Sequence, residues 1–246
     1  MMGPMGPAEQ LRARGYAVFE GFLGPSEASM LRDRLLTIAE PVRPATLYEP
    51  DTRELGDWAA VSASGLALRG FASRHPELLD RYLRPVLVAL LRETLGEVRV
   101  EEIGALISDR ARPFFRWHTH IGGEDEGVRF KSGRWPRPDR VERVLTLLYL
   151  DDVDEEAGAL YVLPRSVGDP TEPPGDIDEV QWPGRVALYP KAGTLVALEQ
   201  CTWHAAAARA RPGERVLAAA YFAGTEVASA DWADPEAATL DLARFA

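Results

Sequence analysis

Gly193-Thr194-Leu195-Val196-Ala197-Leu198, then Trp203-His204, then Arg215-Val216-Leu217-Ala218-Ala219-Ala220-Tyr221-Phe222 follow one another near the C-terminal end of the chain. The first and last are short, apolar, aliphatic-rich runs, bounded by Gly193 and by Pro212-Gly213, and read as buried strands. Working upstream, Val98–Ile107, Arg143–Leu150, Ala159–Leu163 and Arg185–Ala187 have the same character, with Gly158, Pro164 and Pro183-Gly184 between them. Ahead of Val98 the pattern is mostly helical. Tyr16–Phe22 alternates as a strand and stops at Gly24-Pro25. Ser26 then has the position of an N-cap, with Met30, Leu31, Leu35 and Ile38 at helical spacing behind it. A second helix is expected over Pro76–Glu93, closed by Gly96. A helical front followed by a run of strands implies an α+β or mainly β chain with a barrel or double-sheet core. Parallel βαβ units are missing, which argues against a dinucleotide-binding fold. The expected organisation is a single domain, 1–246, with a mainly helical flank and first strand over 1–97, a strand core over 98–225 and a tail over 226–246.

Composition narrows the function. Apolar residues make up 46% and charged residues 27%, the balance of a globular chain rather than a disordered one. Acids outnumber bases by 38 to 28, a net charge of −10, which argues against a nucleic-acid partner. The basic stretch Arg129–Arg143 is broken by Trp135, Pro136, Pro138 and acids, and reads as a solvated loop. No apolar run approaches the roughly 18 residues of a membrane helix. Met1–Gln10 lacks the pattern of a signal peptide, so a soluble cytoplasmic protein is expected. The single cysteine, Cys201, rules out an internal disulfide and reads as a small apolar strand residue.

Three of the four histidines lie in two places. His118 and His120 flank Thr119 after Phe115-Arg116-Trp117, and in an extended segment residues i and i+2 share a face. They have the spacing to chelate one ion, and His204 from a distant strand would complete a set of three with positions left open. His75 reads as a surface or capping residue. Arg215 opens a strand that should be buried, so it needs an anionic partner, either a ligand carboxylate or a protein acid such as Glu214. Other chemistries are poorly supported. Ser166 lacks a nucleophile elbow, and the run Asp151, Asp152, Asp154, Glu155, Glu156 lacks calcium-loop spacing and reads as a solvated turn. Pro170–Asp178 is a Pro- and acid-rich loop long enough to form a lid.

Four stretches together resemble the phytanoyl-CoA dioxygenase-like branch of the non-haem iron, 2-oxoglutarate-dependent oxygenases. Gly15–Leu23 with Ser26-Glu27 resembles the family's opening strand and helix, and Trp117-His118-Thr119-His120 its first metal motif. Leu147–Asp154, Gly158-Ala159-Leu160 and Pro164-Arg165-Ser166 resemble its strand, acidic turn and corner. Gly193 through His204 to Arg215 resembles the distal histidine and co-substrate arginine. The resemblance implies a double-stranded β-helix, a cupin-like jelly roll flanked by N-terminal helices. It further implies iron(II) held by His118, His120 and His204, 2-oxoglutarate held by Arg215, and O2 with a small-molecule substrate as reaction partners. Thr146, on the strand Leu145–Leu150, and Phe115 are read as facing the same pocket.

One departure matters. The family pattern has Asp or Glu where this chain has His120, and a neutral imidazole does not offset the charge of iron(II) as a carboxylate does. Iron held by three histidines, a His120 turned away to leave an open position, and a site that only binds ligands are the three outcomes. Glu124 and Asp125 are close enough in sequence to supply a displaced carboxylate. Arg165 and Val167 replace the corner's Gly and His, where they are expected to reshape the cavity mouth. The leading expectation is C–H oxidation of a small molecule with 2-oxoglutarate. The alternatives are a three-histidine metalloenzyme that does not use 2-oxoglutarate and an inactive binding relative.

Overall fold

Strand β12 (Arg215–Gly224) lies antiparallel between β5 (Val98–Ser108) and β7 (Arg143–Tyr149) in a computed structural model that describes residues 5–120 and 135–246. Its side chains alternate between two apolar layers. Val216, Ala218, Ala220 and Phe222 join one cluster with Ile103, Ile107, Val144 and Leu148, whereas Leu217, Ala219 and Tyr221 join another with Leu106, Leu145 and Tyr149. A side-chain period of two makes this assignment all-or-none, because a slip of one residue would exchange the layers along the whole strand.

The remaining strands are β1 (Tyr16–Phe19), β2 (Arg53–Glu54), β3 (Ala59–Ser62), β4 (Gly65–Leu68), β6 (Phe115–His118), β8 (Leu160–Val162), β9 (Val186–Leu188), β10 (Leu195–Glu199) and β11 (His204–Ala206). They form an eight-stranded sheet, β1-β10-β7-β12-β5-β4-β3-β2, and a four-stranded sheet, β6-β11-β8-β9, antiparallel throughout. This is the double-sheet core expected from the strand pattern, in the jelly-roll arrangement that the family resemblance implies. The segment expected to be a mainly helical flank also supplies the hairpin β3–β4, which extends the large sheet past β5.

Helices α1 (Pro7–Arg14), α2 (Pro25–Ala39) and α5 (Pro85–Leu95) cover the outer layer. The first was not anticipated, although Pro7 at its start and Gly15, left-handed at φ +79°, at its end are ordinary helix punctuation. The second begins before Ser26. Pro25 suits the first helical position, so Gly24 becomes the N-cap and its N–H donates to the Glu27 carboxylate at 3.0 Å. The single helix expected over Pro76–Glu93 is broken into the short α4 (Leu79–Tyr82) and α5. Pro85 forces Arg84 into extended backbone, ψ 155°, which no helix can pass through. No described helix is long and apolar enough to cross a membrane.

Two arginines at expected loop or strand boundaries are buried. Arg143 donates to Glu101 at 3.0 Å, so the last residue of the basic stretch is part of the core. Arg165 donates to Glu199 at 2.8 Å and to the Asp169 carbonyl at 2.8 Å; it does not line the cavity mouth. The corner residue thus fastens the end of β10 to the loop after β8. Burial pushes the Glu199 carboxyl up, opposed by Arg165. Arg165→Met should therefore cost about 3 kcal/mol in urea unfolding at neutral pH, with part recovered in the Arg165→Met/Glu199→Gln double variant. An acid whose folded pKa is raised binds more protons folded than unfolded, so the cost should shrink as pH falls. Equal loss in the single and double variants at all pH values would refute the pair's role.

Candidate active site

Where the small sheet meets the cavity, His118 at the end of β6 is the cross-strand partner of His204 at the start of β11. His120, two residues on, is anchored by its backbone N–H to the Gln200 carbonyl at 3.0 Å. Ring centroids lie 4.1 Å apart for His118–His204, 5.0 Å for His118–His120 and 4.9 Å for His120–His204. One nitrogen from each ring falls within 4.8 Å of the others. His118 Nδ1 is 2.9 Å from the Arg116 carbonyl and His204 Nδ1 is 3.0 Å from the Thr202 carbonyl. A carbonyl only accepts, so both rings carry a proton on Nδ1, and His204 turns its Nε2 into the cluster. His120 Nε2 lies 3.1 Å from His204 Nε2. About 3 Å is the separation of two cis ligands on a metal with bonds of about 2.1 Å to nitrogen. Burial, then the neighbouring His118, holds the His120 imidazole well below its usual range; burial, His118 and His120 do the same for His204. Both are neutral at pH 7, the form that binds cations.

The strands that carry these rings are braced from behind. Trp117 points opposite to His118 and stacks on Trp182 at 4.4 Å, 3° from parallel. Its indole N–H donates to the Glu179 carbonyl, and that of Trp203 to the Thr171 carbonyl, each at 2.9 Å. Pro170–Asp178 belongs to this brace. Trp117 N–H donates to the Ile177 carbonyl, Trp182 Nε1 to the Asp176 carbonyl, and none of the loop lines the cavity. The expected lid is a packed wall on the far side of the sheet.

The histidines open on a cavity of about 500 Å³ that also holds Phe115, Tyr149 and Arg215. Arg215 is buried, and its guanidinium donates to the Gly158 carbonyl at 2.8 Å. The acid considered for it, Glu214, pairs with Arg43 instead. Buried Arg112 and Arg209 lie close by. Arg112 donates to the Ala206 and Ala207 carbonyls, Arg209 approaches the Ala157 carbonyl at 3.5 Å, and the Nε of all three arginines lacks a partner. None of the three pairs with a carboxylate among the described residues. Burial, then Arg215, pushes Arg112 down to about 9, and burial pushes Arg215 down too. Of the three, Arg215 lines the cavity and can face an anion there, with Arg112 and Arg209 behind it; Asp151 acts on Arg209 and Arg215 without pairing with either.

The model of the phytanoyl-CoA dioxygenase (PhyH) family matches residues 11–216. The chain belongs to this family. No curated protein matches it at the sequence level. Among solved structures it is similar to HygX from Streptomyces hygroscopicus with nickel and 2-oxoglutarate bound, at TM-score 0.62 and 16% identity over 89% of this chain and 86% of that one. It is also similar to the non-haem α-ketoglutarate-dependent carbocyclase SnoK from nogalamycin biosynthesis, at TM-score 0.61 and 18% identity over 88% and 82%. EctD from S. alaskensis with bound iron gives 0.61 and 17% over 89% and 76%. At such identities the likeness is one of fold.

In this PhyH-family chain Phe115 stands beside His118, ring centroids 4.6 Å apart, and lines the cavity. Thr146 does not. It lies on the helix-facing side of β7, where its hydroxyl is 2.7 Å from that of Tyr82 and donates to the Ala220 carbonyl. The cavity side of β7 belongs to Leu145, Leu147 and Tyr149. Tyr149 was missed, though once Arg215 is assigned to the cavity, strand parity selects odd positions on β7. Its hydroxyl has no hydrogen-bond partner among the described residues. Glu124 and Asp125 lie outside the described residues. Thr146→Val should cost about 1 kcal/mol of stability and leave 2-oxoglutarate affinity within twofold of the parent in calorimetric titration; a tenfold loss of affinity would return Thr146 to the pocket.

Proposed function

We propose that this PhyH-family protein is a 2-oxoglutarate-dependent oxygenase with a three-histidine iron(II) site, oxidising a C–H bond of a small molecule. The observation that supports it best is the shared cavity, which joins three clustered imidazoles to a buried arginine that hydrogen-bonds to no protein acid among the described residues. The donor set fits the metal: two rings oriented by backbone carbonyls at Nδ1, nitrogens of His120 and His204 at cis-ligand distance, and one nitrogen of each of the three rings within 4.8 Å of the others. Iron bound there would supply the activation of O2 that couples 2-oxoglutarate decarboxylation to substrate oxidation.

The protein's own residues do the rest. Arg215 and the Tyr149 hydroxyl would hold the carboxylate of 2-oxoglutarate distant from the metal, with Phe115 packed against its chain. Arg112 and Arg209 add positive potential behind them. Because the imidazoles bring no negative charge, compensation for a cation falls to the anion that Arg215 orients. His120 is turned into the cluster, against Tyr221 at 5.1 Å, which favours three-histidine ligation over an open position. The orphaned arginines likewise favour an anionic co-substrate over an enzyme that does without one.

With iron(II), ascorbate and 2-oxoglutarate the protein should release succinate. His204→Ala should abolish bound metal measured by elemental analysis. In anaerobic titrations Arg215→Met should weaken 2-oxoglutarate binding by 100-fold or more, and Tyr149→Phe by about tenfold, or about 1.4 kcal/mol, with metal content unchanged in both. Wild-type binding in the Arg215 variant, or a protein that takes up no metal, would overturn the proposal.

A further inference from the structure

The cavity-facing row of β12 runs from Arg215 through Leu217 and Ala219 to Tyr221, roughly 20 Å away at 3.3 Å per residue. The histidines lie towards the Tyr221 end, since the His120 and Tyr221 rings are 5.1 Å apart. Directly across the ladder from Tyr221 is Glu102 on β5, and cross-strand neighbours on one face have Cβ atoms about 5 Å apart. Glu102 is the one acid among the described residues that line the cavity.

Its carboxylate is built in rather than incidental. Oε1 accepts from the Gly70 N–H at 2.8 Å and from the Ile103 N–H at 2.9 Å. Gly70 sits in left-handed backbone, φ +71°. Oε2 receives no hydrogen bond, and no cation pairs with Glu102 among the described residues. Arg69, also in the cavity lining, is tied to Glu54 and offsets the Glu102 charge only weakly. The cavity lining that Glu102 shares is largely apolar and includes Leu68, Leu106, Leu147, Ala219 and Trp232. Burial, aided by Asp234, pushes the Glu102 carboxyl up to about 7, as expected of a negative charge short of a counter-charge.

We infer that Glu102 determines substrate choice: its free oxygen takes the protonated amine of a small molecule whose apolar skeleton lies across the histidines. This rests on reading Arg215 as the co-substrate anchor, which leaves the opposite, Glu102 end for the substrate. The charges are complementary at both ends, with guanidinium for a carboxylate and carboxylate for an ammonium, so the two ligands do not compete. Such a pair also discriminates, since a neutral or anionic analogue would leave Glu102 buried without a partner.

The test uses metal-free protein and three probes with one aromatic body: tyramine, tyrosol and 4-hydroxyphenylacetate, which end in ammonium, hydroxyl and carboxylate. Calorimetric titration should show tyramine binding at least tenfold more tightly than tyrosol, and the acid most weakly. Glu102→Gln keeps an oxygen for the Gly70 and Ile103 amides; it should weaken tyramine tenfold or more and leave tyrosol within twofold. Glu102→Asp, which keeps the charge on a shorter arm, should retain a reduced preference for the amine. Thermal melting checks that both variants are folded. Binding of none of the probes, no preference for tyramine, or a preference that survives Glu102→Gln would each overturn the inference. With no metal in the titration the two readings fail separately. Amine preference without succinate formation would sink the oxygenase, and succinate formation without amine preference would sink the role of Glu102.

Discussion

Strand β12 has to serve two interiors at once. One of its faces packs against the helices, the other faces the cavity, and neither is exposed to water along most of its length. Parity along this strand and its neighbours β5 and β7 therefore settles which residues belong to chemistry and which to packing. Arg215, Leu217, Ala219 and Tyr221 are assigned together, and with them Tyr149, Leu147 and Leu145 on one side and Leu106 and Glu102 on the other. A register shift on β5 next to Tyr221 leaves Glu101 unmatched on β12, where it pairs with Arg143 while Glu102 lines the cavity.

Much of this arrangement was legible in the order of residues. The i, i+2 histidines, the third before a strand and the arginine opening the next strand were enough to point at one cavity, and the apolar runs at two packed sheets. What stayed hidden depends on pairing or on long-range partners. Thr146 was misplaced by one residue because its face is set by registration with β12, which local pattern does not specify. The helix break at Pro85 was legible, since a proline restricts the residue before it, but the apolar periodicity on either side masked it. Arg165 looked like a surface corner because its partner Glu199 is distant in the chain. Glu102 drew no notice within the expected strand Val98–Ile107, and only the folded sheet places it in the cavity lining.

The electrostatics of the cavity are uneven along its length. One end concentrates guanidiniums that pair with no acid among the described residues, the middle holds the three imidazoles, and the far end carries the carboxylate of Glu102 with Arg69 and an aromatic pair, Tyr221 and Trp232, 4.8 Å apart. That gradient orients any molecule with charges at its ends before close contacts are made, and it places the least polar stretch nearest the histidines.

Ser64, Ala67, Leu68 and Arg69 form one wall of the cavity, yet they sit on the hairpin β3–β4 and the turn that follows it, at the margin of the large sheet and outside the central ladder. The hairpin is nonetheless stitched to that ladder, since β4 pairs Leu66 with Ile107 and Leu68 with Ala105 on β5, and Gly70 just beyond it steadies Glu102. It is a cheek hinged to the jaw: its outward residues shape the opening, whereas a change at its buried leucines would travel into the strand beside the arginine.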